Sequence, residues 1–171
     1  MDLDVQRKFG ELLMEVDVAK NWVHGLSWSP QCSSLAVCAH DSCVHVIEIG
    51  CDEIPTIDRE PKCYTMKFPQ LPQCAALFLD EERLVTVGFH DKPLLFNKKD
   101  GGKWAMEGEL KVAEKGGAAG GSSVAKKMNM FGGGRDKAKP TYARVKTDIK
   151  PINQNKFSVS GMDQNLILFK V

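Results

Sequence analysis

One pattern recurs along this chain and limits what it can fold into: a small-residue or apolar strand, a turn containing Asp, and a second apolar strand. The copies, the third weaker than the others, span residues 34–49, 83–97 and 156–170. Their aspartates, Asp41, Asp91 and Asp163, lie 50 and 72 residues apart, and a long Gly- and Lys-rich insert accounts for most of the larger spacing. Self-similarity at a period of roughly 40 to 45 residues is typical of β-propeller blades. The repeat therefore favours a binding fold over a catalytic one.

Short strands separated by turn signals also fill the rest of the chain up to the insert. The segments predicted as strands are 9–16, 22–28, 35–39, 43–49, 63–68, 75–79, 84–88, 94–97 and 103–110. Pro30 ends the second of them because proline cannot donate to a continuing ladder. No long amphipathic helix is indicated before residue 120. Many short strands with regular turns predict an all-β architecture.

Composition narrows the possible functions. With 171 residues and 43% hydrophobic content, the chain is long enough for one domain with a buried core. A net charge of +1 gives no whole-molecule field for nucleic acid or an anionic membrane. The six cysteines form no Cys-x-x-Cys pair, so neither a disulfide framework nor a zinc site is expected. No apolar run approaches the roughly 20 residues that span a bilayer. We expect a soluble, intracellular protein.

The aspartates of the repeat are interpreted as structural rather than catalytic. Asp41, Asp91 and Asp163 each follow an apolar strand in a tight turn, where an Asp side chain can accept hydrogen bonds from nearby backbone amides. His24 is a candidate partner for Asp41. His40 and His90 precede two of the aspartates, so repetition explains these histidines better than metal ligation. No phosphate-binding loop, dinucleotide fingerprint or nucleophile elbow is present. We predict no catalytic, cofactor or metal residues.

The three tryptophans have two interpretations. Trp22, Trp28 and Trp104 are candidate interface anchors, since exposed tryptophan is enriched at binding hot spots. The alternative is packing between blades, which we favour for Trp28. Neither interpretation is favoured for Trp22, because it lies where a loop enters a strand.

The insert, residues 114–140, breaks the strand rhythm. Glycine runs at 116–121 and 132–134 flank residues 122–131, in which Val124, Met128 and Phe131 fall on one face of a short predicted helix. Such a helix is not stable by propensity alone. Its apolar face therefore either packs on the domain or receives a partner. Both interpretations of the helix stay open. The basic segment that includes Lys126 and Lys127 also has two interpretations: it binds an acidic partner, or it is a solvated loop.

In their order along the chain, several motifs resemble one family, the WD-repeat subunit of the actin-related protein 2/3 complex. The clearest is Asn-Trp-Val-His-Gly-Leu-Ser-Trp-Ser-Pro at 21–30. The other matching stretches are 9–12, 35–42, 83–96 and 157–163. The resemblance covers residues 9–171, with the family's long insert before the last blade.

The resemblance implies a seven-bladed propeller of which this chain supplies about three carboxy-terminal blades. Residues 1–8 would be a loose segment, 9–113 one strand of a preceding blade plus two blades, and 141–171 the last blade, with the helix 122–131 inside the insert. Three blades cannot close a ring. An authentic chain of this length should therefore recruit a partner or another copy of itself through its open edges.

The resemblance also implies a non-catalytic scaffold function. Its partners would be the other subunits of the complex and the actin filament, in the cytoplasmic actin cytoskeleton, where the complex nucleates branches. The contact residues carried over to this chain lie on the insert helix: Val124, Lys126, Lys127, Met128 and Phe131. The alternative is a WD-repeat adaptor of an unrelated multiprotein assembly.

Overall fold

The computed structural model describes residues 9–10, 12, 14–49, 61–111, 145–162 and 166–171. These residues form eleven strands and no helix. The strands are β1 (Val23–Trp28), β2 (Ser34–Ala39), β3 (Cys43–Glu48), β4 (Lys62–Lys67), β5 (Gln73–Phe78), β6 (Arg83–Gly88), β7 (Leu94–Lys98), β8 (Trp104–Glu109), β9 (Lys146–Asn153), β10 (Lys156–Gly161) and β11 (Leu166–Lys170). The predicted all-β class is confirmed.

The strands form three antiparallel meanders. The first sheet has the order β1-β2-β3-β4, the middle sheet β5-β6-β7-β8, and the last sheet β11-β10-β9. In each sheet, strands that follow one another along the chain pair as antiparallel neighbours, the usual arrangement for sequential elements. Sheets of this kind, stacked face to face, are partial blades of a WD-repeat-type propeller.

One predicted strand is wrong. The described residues within 9–16 contain no strand, and the first strand starts at Val23. Met14 and Val16 instead lie against the first sheet with their side chains on an apolar groove. Their alternation with polar residues therefore reflects contact with one surface, which the sequence pattern cannot distinguish from pairing in a sheet. Residues 122–131 of the insert lie outside the described residues.

The first junction joins one face of the first sheet to one face of the middle sheet. Ser27 Oγ accepts a hydrogen bond from the backbone N–H of Phe78 across it, at 3.3 Å. The Glu81 carboxylate accepts bonds from the N–H of Gln31 and the hydroxyl of Ser33, both at 2.7 Å. The buried residues of this junction are Ala36, Cys38, Val44, Val46, Met66, Phe68, Ala76, Phe78, Leu84, Leu94, Phe96 and Trp104.

The second junction joins the opposite face of the middle sheet to the last sheet. Its stacked rings are Phe157 and Phe169, with centroids 5.1 Å apart. Its buried residues are Leu79, Val85, Val87, Ile149, Phe157, Val159 and Phe169, with Ala75, Leu77, Leu95, Leu110, Ile167 and Val171 partly buried against them. The middle sheet is thus covered on both faces.

The sheets approach so closely at the first junction that one backbone position must be glycine. A Cβ at Gly25 in β1 would collide with the backbone carbonyl of Cys74 and crowd Ala75. Gly25 lies on the face of the first sheet that meets the middle sheet. A backbone approach of this kind is a packing requirement that only a residue without a side chain satisfies.

Candidate interaction surfaces

The predicted contact residues of the insert, Val124, Lys126, Lys127, Met128 and Phe131, lie outside the described residues. The structure therefore leaves these residues as a prediction. Asp163 is outside the described residues as well. The described candidates for interaction surfaces are the outer faces of the first and last sheets and a cluster of aromatic and histidine rings. The turns that carry Asp41 and Asp91 are described after them.

The outer face of the first sheet, which no other described sheet covers, carries an apolar groove of about 430 Å³. We call it the open face and define it by Leu26, Trp28, Leu35, Val37 and Ile47, which lie in two adjacent cross-strand rows. The side chains of residues 14, 16 and 18 close one side of the groove. Val37 and Ile47 are buried beneath it, while Leu26 and Trp28 are 61% and 51% exposed.

Trp28 therefore does not have the position predicted for it. The sequence favours packing between blades for Trp28, but half of its surface faces solvent. Trp104, by contrast, is buried at the first junction, where its ring lies 5.7 Å from that of Phe78 in an edge-on arrangement. The same residue type has different surroundings because the face that carries Trp28 has no neighbouring sheet among the described residues.

The outer face of the last sheet is also uncovered in the part of the chain that the structure describes. We define it by Ser158, Ser160, Leu166 and Leu168, which pair directly across β10 and β11. Leu166 is 70% exposed and Leu168 is 66% exposed. Because alternate residues on the same strands are buried at the second junction, the exposure belongs to one face of the sheet rather than to fraying of a strand.

A cluster of four rings lies at one end of the first junction. His24 Nε2 and His40 Nδ1 are 2.9 Å apart, so one ring donates to the other. Phe89 lies edge-on to both histidines, and Trp22 lies 5.8 Å from His40. Trp22 is 74% exposed, so its ring is available as an anchor for a partner.

The predicted pairing of His24 with Asp41 is wrong, because His24 bonds His40 instead. Asp41 accepts backbone hydrogen bonds from Lys20 at 3.3 Å and Cys43 at 3.0 Å. His45 points its Nε2 at Asp41 Oδ2 from 3.6 Å while its Nδ1 bonds Thr65 Oγ1 at 3.0 Å.

Partial burial by itself would raise the pKa of Asp41. The backbone donors of Lys20 and Cys43, together with nearby His45, outweigh that effect and lower the pKa below its usual value. The side chain therefore stays ionised and holds the turn between β2 and β3. Ser42 beside it adopts a left-handed φ of 57°, a conformation that tight turns require.

The aspartates of the first two copies do not occupy equivalent positions. The N–H of His40 donates to the carbonyl of Trp22, and the N–H of Phe89 makes the same bond to Pro72. These bonds make His40 equivalent to Phe89, so the next residue, Asp41, is equivalent to His90. His90 Nε2 lies 2.9 Å from Glu109 Oε1 and ties its loop to β8. The two copies therefore use different side chains to hold the same turn.

Asp41, Cys43 and His45 place a carboxylate oxygen, a thiol sulfur and a ring nitrogen within 4.8 Å of one another. No metal site was predictable from the sequence, because the turn residue Asp41 and the β3 residues Cys43 and His45 do not have a recognised ligand spacing. Burial, followed by the charge of Asp41, raises the pKa of the Cys43 thiol and keeps it protonated. These groups are the described residues best placed to hold a zinc-sized ion, and the bonds of Asp41 and Cys43 also make them parts of a turn.

Two four-stranded and one three-stranded antiparallel sheets, stacked on one another, define the class of this protein as a WD-repeat-type β-propeller segment. No helix in the described ranges has the length and hydrophobicity needed to cross a membrane.

Comparisons with known proteins find similarity to one kind of subunit in two organisms. The chain is 25% identical to actin-related protein 2/3 complex subunit 1B of Arabidopsis thaliana, over 96% of this chain and 46% of that protein. It is 29% identical to subunit 1A of the same plant, over 63% of this chain and 28% of that protein. Subunit 1 of Schizosaccharomyces pombe is 32% identical over 52% of this chain and 22% of that protein. No family model matches the chain.

The resemblance inferred from the sequence motifs is therefore confirmed: this chain is related to subunit 1 of the actin-related protein 2/3 complex. The matched part spans less than half the length of each of these curated relatives.

Proposed function

We propose that this chain acts as a non-catalytic interaction subunit of an actin-related protein 2/3 complex, in the cytoplasmic actin cytoskeleton. The observation that carries the proposal is its similarity to subunit 1 sequences along 96% of its length, on a blade architecture. Propeller blades are rigid supports whose loops and faces bind other proteins. The other subunits of the complex would be its permanent partners.

The proposed contact with actin or an actin-related subunit is the insert segment 122–131. Val124, Met128 and Phe131 have the spacing of an apolar helix face. Lys126 and Lys127 add positive charge beside it, which suits an acidic partner surface. Contact at this segment would support filament nucleation and branching by the complex.

Affinity purification of the tagged chain from its host cells tests membership of the complex. We expect mass spectrometry to recover other subunits of the complex together with actin. Recovery of a different set of proteins would instead favour an adaptor of another assembly. Recovery of no protein partner would contradict both functions.

A matched pair of variants tests the insert contact. Val124→Asp/Phe131→Asp places two negative charges on the predicted apolar face, and Ser122→Asp/Asn129→Asp places two on the opposite face. We expect only the first pair to reduce actin and actin-related protein recovery, by at least tenfold, while recovery of the other subunits stays unchanged. Equal recovery with both variants would remove the insert contact and leave complex membership intact.

A further inference from the structure

A buried ring nitrogen in the first sheet, Nε2 of His45, has no hydrogen-bond partner among the described residues. The His45 side chain is 2% exposed, and its Nδ1 lies 3.0 Å from Thr65 Oγ1. Its Nε2 lies 3.6 Å from Asp41 Oδ2, which is too far for a hydrogen bond. A buried polar atom without a partner costs free energy, because folding removes its bonds to water. The environment of Nε2 therefore indicates a ligand that would bind there.

No protonation form of the His45 ring satisfies Nε2 with these neighbours. If Nδ1 alone carries a proton, it donates to Thr65, and the lone pair of Nε2 faces the carboxylate of Asp41. If Nε2 carries a proton, the proton points at a carboxylate oxygen that is beyond hydrogen-bond distance. A metal ion between Nε2 and Oδ2 would satisfy both atoms. The form with the proton on Nδ1 is the one that a metal-bound histidine adopts, since its other nitrogen then donates to a neighbour.

The thiol of Cys43 adds a third ligand type beside this gap. The Asp41 oxygen, the Cys43 sulfur and the His45 nitrogen all lie within 4.8 Å of one another. Ligands of one tetrahedral zinc ion lie roughly 3.4 to 3.6 Å apart, as follows from bond lengths of about 2.0 to 2.3 Å. The 3.6 Å between Oδ2 and Nε2 already matches that spacing. The sulfur has to approach by no more than about 1 Å to join them.

The middle sheet contains the equivalent turn without these ligands. The backbone bonds that relate the two turns make Lys92 and Leu94 equivalent to Cys43 and His45. There the polar side chains bond one another directly, with Lys92 Nζ 3.0 Å from Glu109 Oε2. A blade turn therefore forms without a thiol and an imidazole at these positions, so turn formation does not explain their presence in the first sheet.

We propose that Asp41, Cys43 and His45 bind a zinc ion at the turn between β2 and β3. A carboxylate, a thiolate and an imidazole suit Zn²⁺, whereas Ca²⁺ and Mg²⁺ take sets of oxygen ligands. On binding, the ion displaces the proton of the Cys43 thiol to solvent, so that the sulfur ligates as a thiolate. The side chain of Asp41 is 14% exposed, so the fourth position of the ion faces solvent on that side and takes a water. The inference does not depend on the proposed complex.

Absorption spectroscopy with Co²⁺, a substitute for zinc, tests the proposal on the full chain after reduction and treatment with EDTA. We expect one equivalent of Co²⁺ to give a thiolate-to-metal charge-transfer band and the visible bands of tetrahedral coordination, and Zn²⁺ to remove both. Cys43→Ser should abolish the charge-transfer band. Cys63→Ser is the matched control and should keep it, because Cys63 is an exposed cysteine on the neighbouring strand β4.

Zinc affinity tests the positioning of the ring separately. Thr65→Val removes the partner of His45 Nδ1 and should weaken Zn²⁺ binding by about 10- to 100-fold. Zn²⁺ should also raise the urea midpoint of the wild-type chain but not that of Cys43→Ser, because an ion that binds only the folded state stabilises it. Circular dichroism in EDTA verifies that each variant folds. His45→Gln replaces Cys43→Ser if that variant does not fold, and it should lose the tetrahedral bands.

Three results would overturn the proposal. The first is a wild-type chain that gives no charge-transfer band at saturating Co²⁺. The second is a band that persists in Cys43→Ser, and the third is a band that disappears in Cys63→Ser, since the thiolate ligand would then lie elsewhere in the chain.

Discussion

The first and middle sheets carry the same cross-strand row in different surroundings. In the middle sheet, Phe78 is 5% exposed and Leu84 and Phe96 are fully buried, because the first sheet covers them. In the first sheet, the equivalent Trp28 is 51% exposed over an apolar groove. The hairpin register therefore decides which side chains share a face, whereas a neighbouring sheet decides whether that face is core or surface.

The largest expected loss of stability distinguishes the buried row of the middle sheet from the exposed row of the first sheet. Phe96→Ala should reduce the free energy of unfolding by about 3–5 kcal/mol, because it leaves a cavity in the first junction. Trp28→Ala should cost about 1 kcal/mol or less in the monomer, because half of the side chain is already in water. Urea denaturation at a protein concentration where the chain is monomeric measures both. Equal losses would mean that the open face is covered in solution.

The second test compares two glycines in different sheets. Gly25→Ala should destabilise the chain by about 1–3 kcal/mol, because the new methyl group meets the Cys74 carbonyl across the first junction. Gly108→Ala, in β8, should stay within about 0.5 kcal/mol, because no atom lies within 4 Å of the added carbon. Thermal unfolding of both variants measures the difference. A tolerated Gly25→Ala would show that the sheets can move apart at no cost.

The third test compares Asp41, in the turn between β2 and β3, with His90, which occupies the equivalent position in the middle sheet. Asp41→Ala should cost about 1 kcal/mol at pH 7, since the bonds to Lys20 and Cys43 are lost. Because folding lowers the pKa of Asp41, its stabilisation is present above the ordinary Asp value near 4 and disappears as the pH falls through the lower, folded pKa.

The stability of wild type and variant should therefore converge as the pH falls through and below the folded pKa of Asp41. Urea midpoints between pH 7 and pH 2 follow that convergence. His90→Ala, at the equivalent position, should also lower the urea midpoint at pH 7, because the contact between its ring and Glu109 is lost. A pH-independent difference for Asp41→Ala would assign the effect to packing rather than to the carboxylate.

The smallest expected effect concerns the ion pair that crosses the first junction. Lys98 Nζ lies 2.9 Å from Glu48 Oε1, with each side chain roughly one-quarter exposed. Lys98→Met should cost about 0.2–1 kcal/mol, and added salt should reduce the loss because it screens the pair. Lys103→Met, at an exposed position before β8, is the control. A loss that salt does not change would indicate that the aliphatic stem of Lys98, rather than its charge, stabilises the junction.

Much of the fold was predictable from the sequence. The predicted segments 35–39, 43–49 and 63–68 correspond closely to β2, β3 and β4. For β2 and β3 the reason is local, because the turn residues between them and their β-branched runs determine a hairpin without distant contacts. The predicted strand over 9–16 failed since contact with a groove gives the same alternation as pairing in a sheet.

The surfaces were less predictable, because they depend on residues far apart in the chain. Nothing in the local sequence indicates that His24 bonds His40 rather than Asp41. The equivalence of Asp41 with His90 became visible only from backbone bonds, since the His-Asp dipeptide stands one position later in the second repeat, in a turn of the same length. An alignment of like residues placed Asp41 with Asp91 for that reason.

Local patterns and residue order are enough to predict the strand class, the hairpins and the similarity to subunit 1 of the actin-related protein 2/3 complex. They do not show which face of each sheet is buried, and so cannot tell that Phe96 is core while Trp28 lines a groove. The physical reason is that burial depends on the sheet that lies opposite. The residues of that sheet occupy a different part of the chain from the strand they cover.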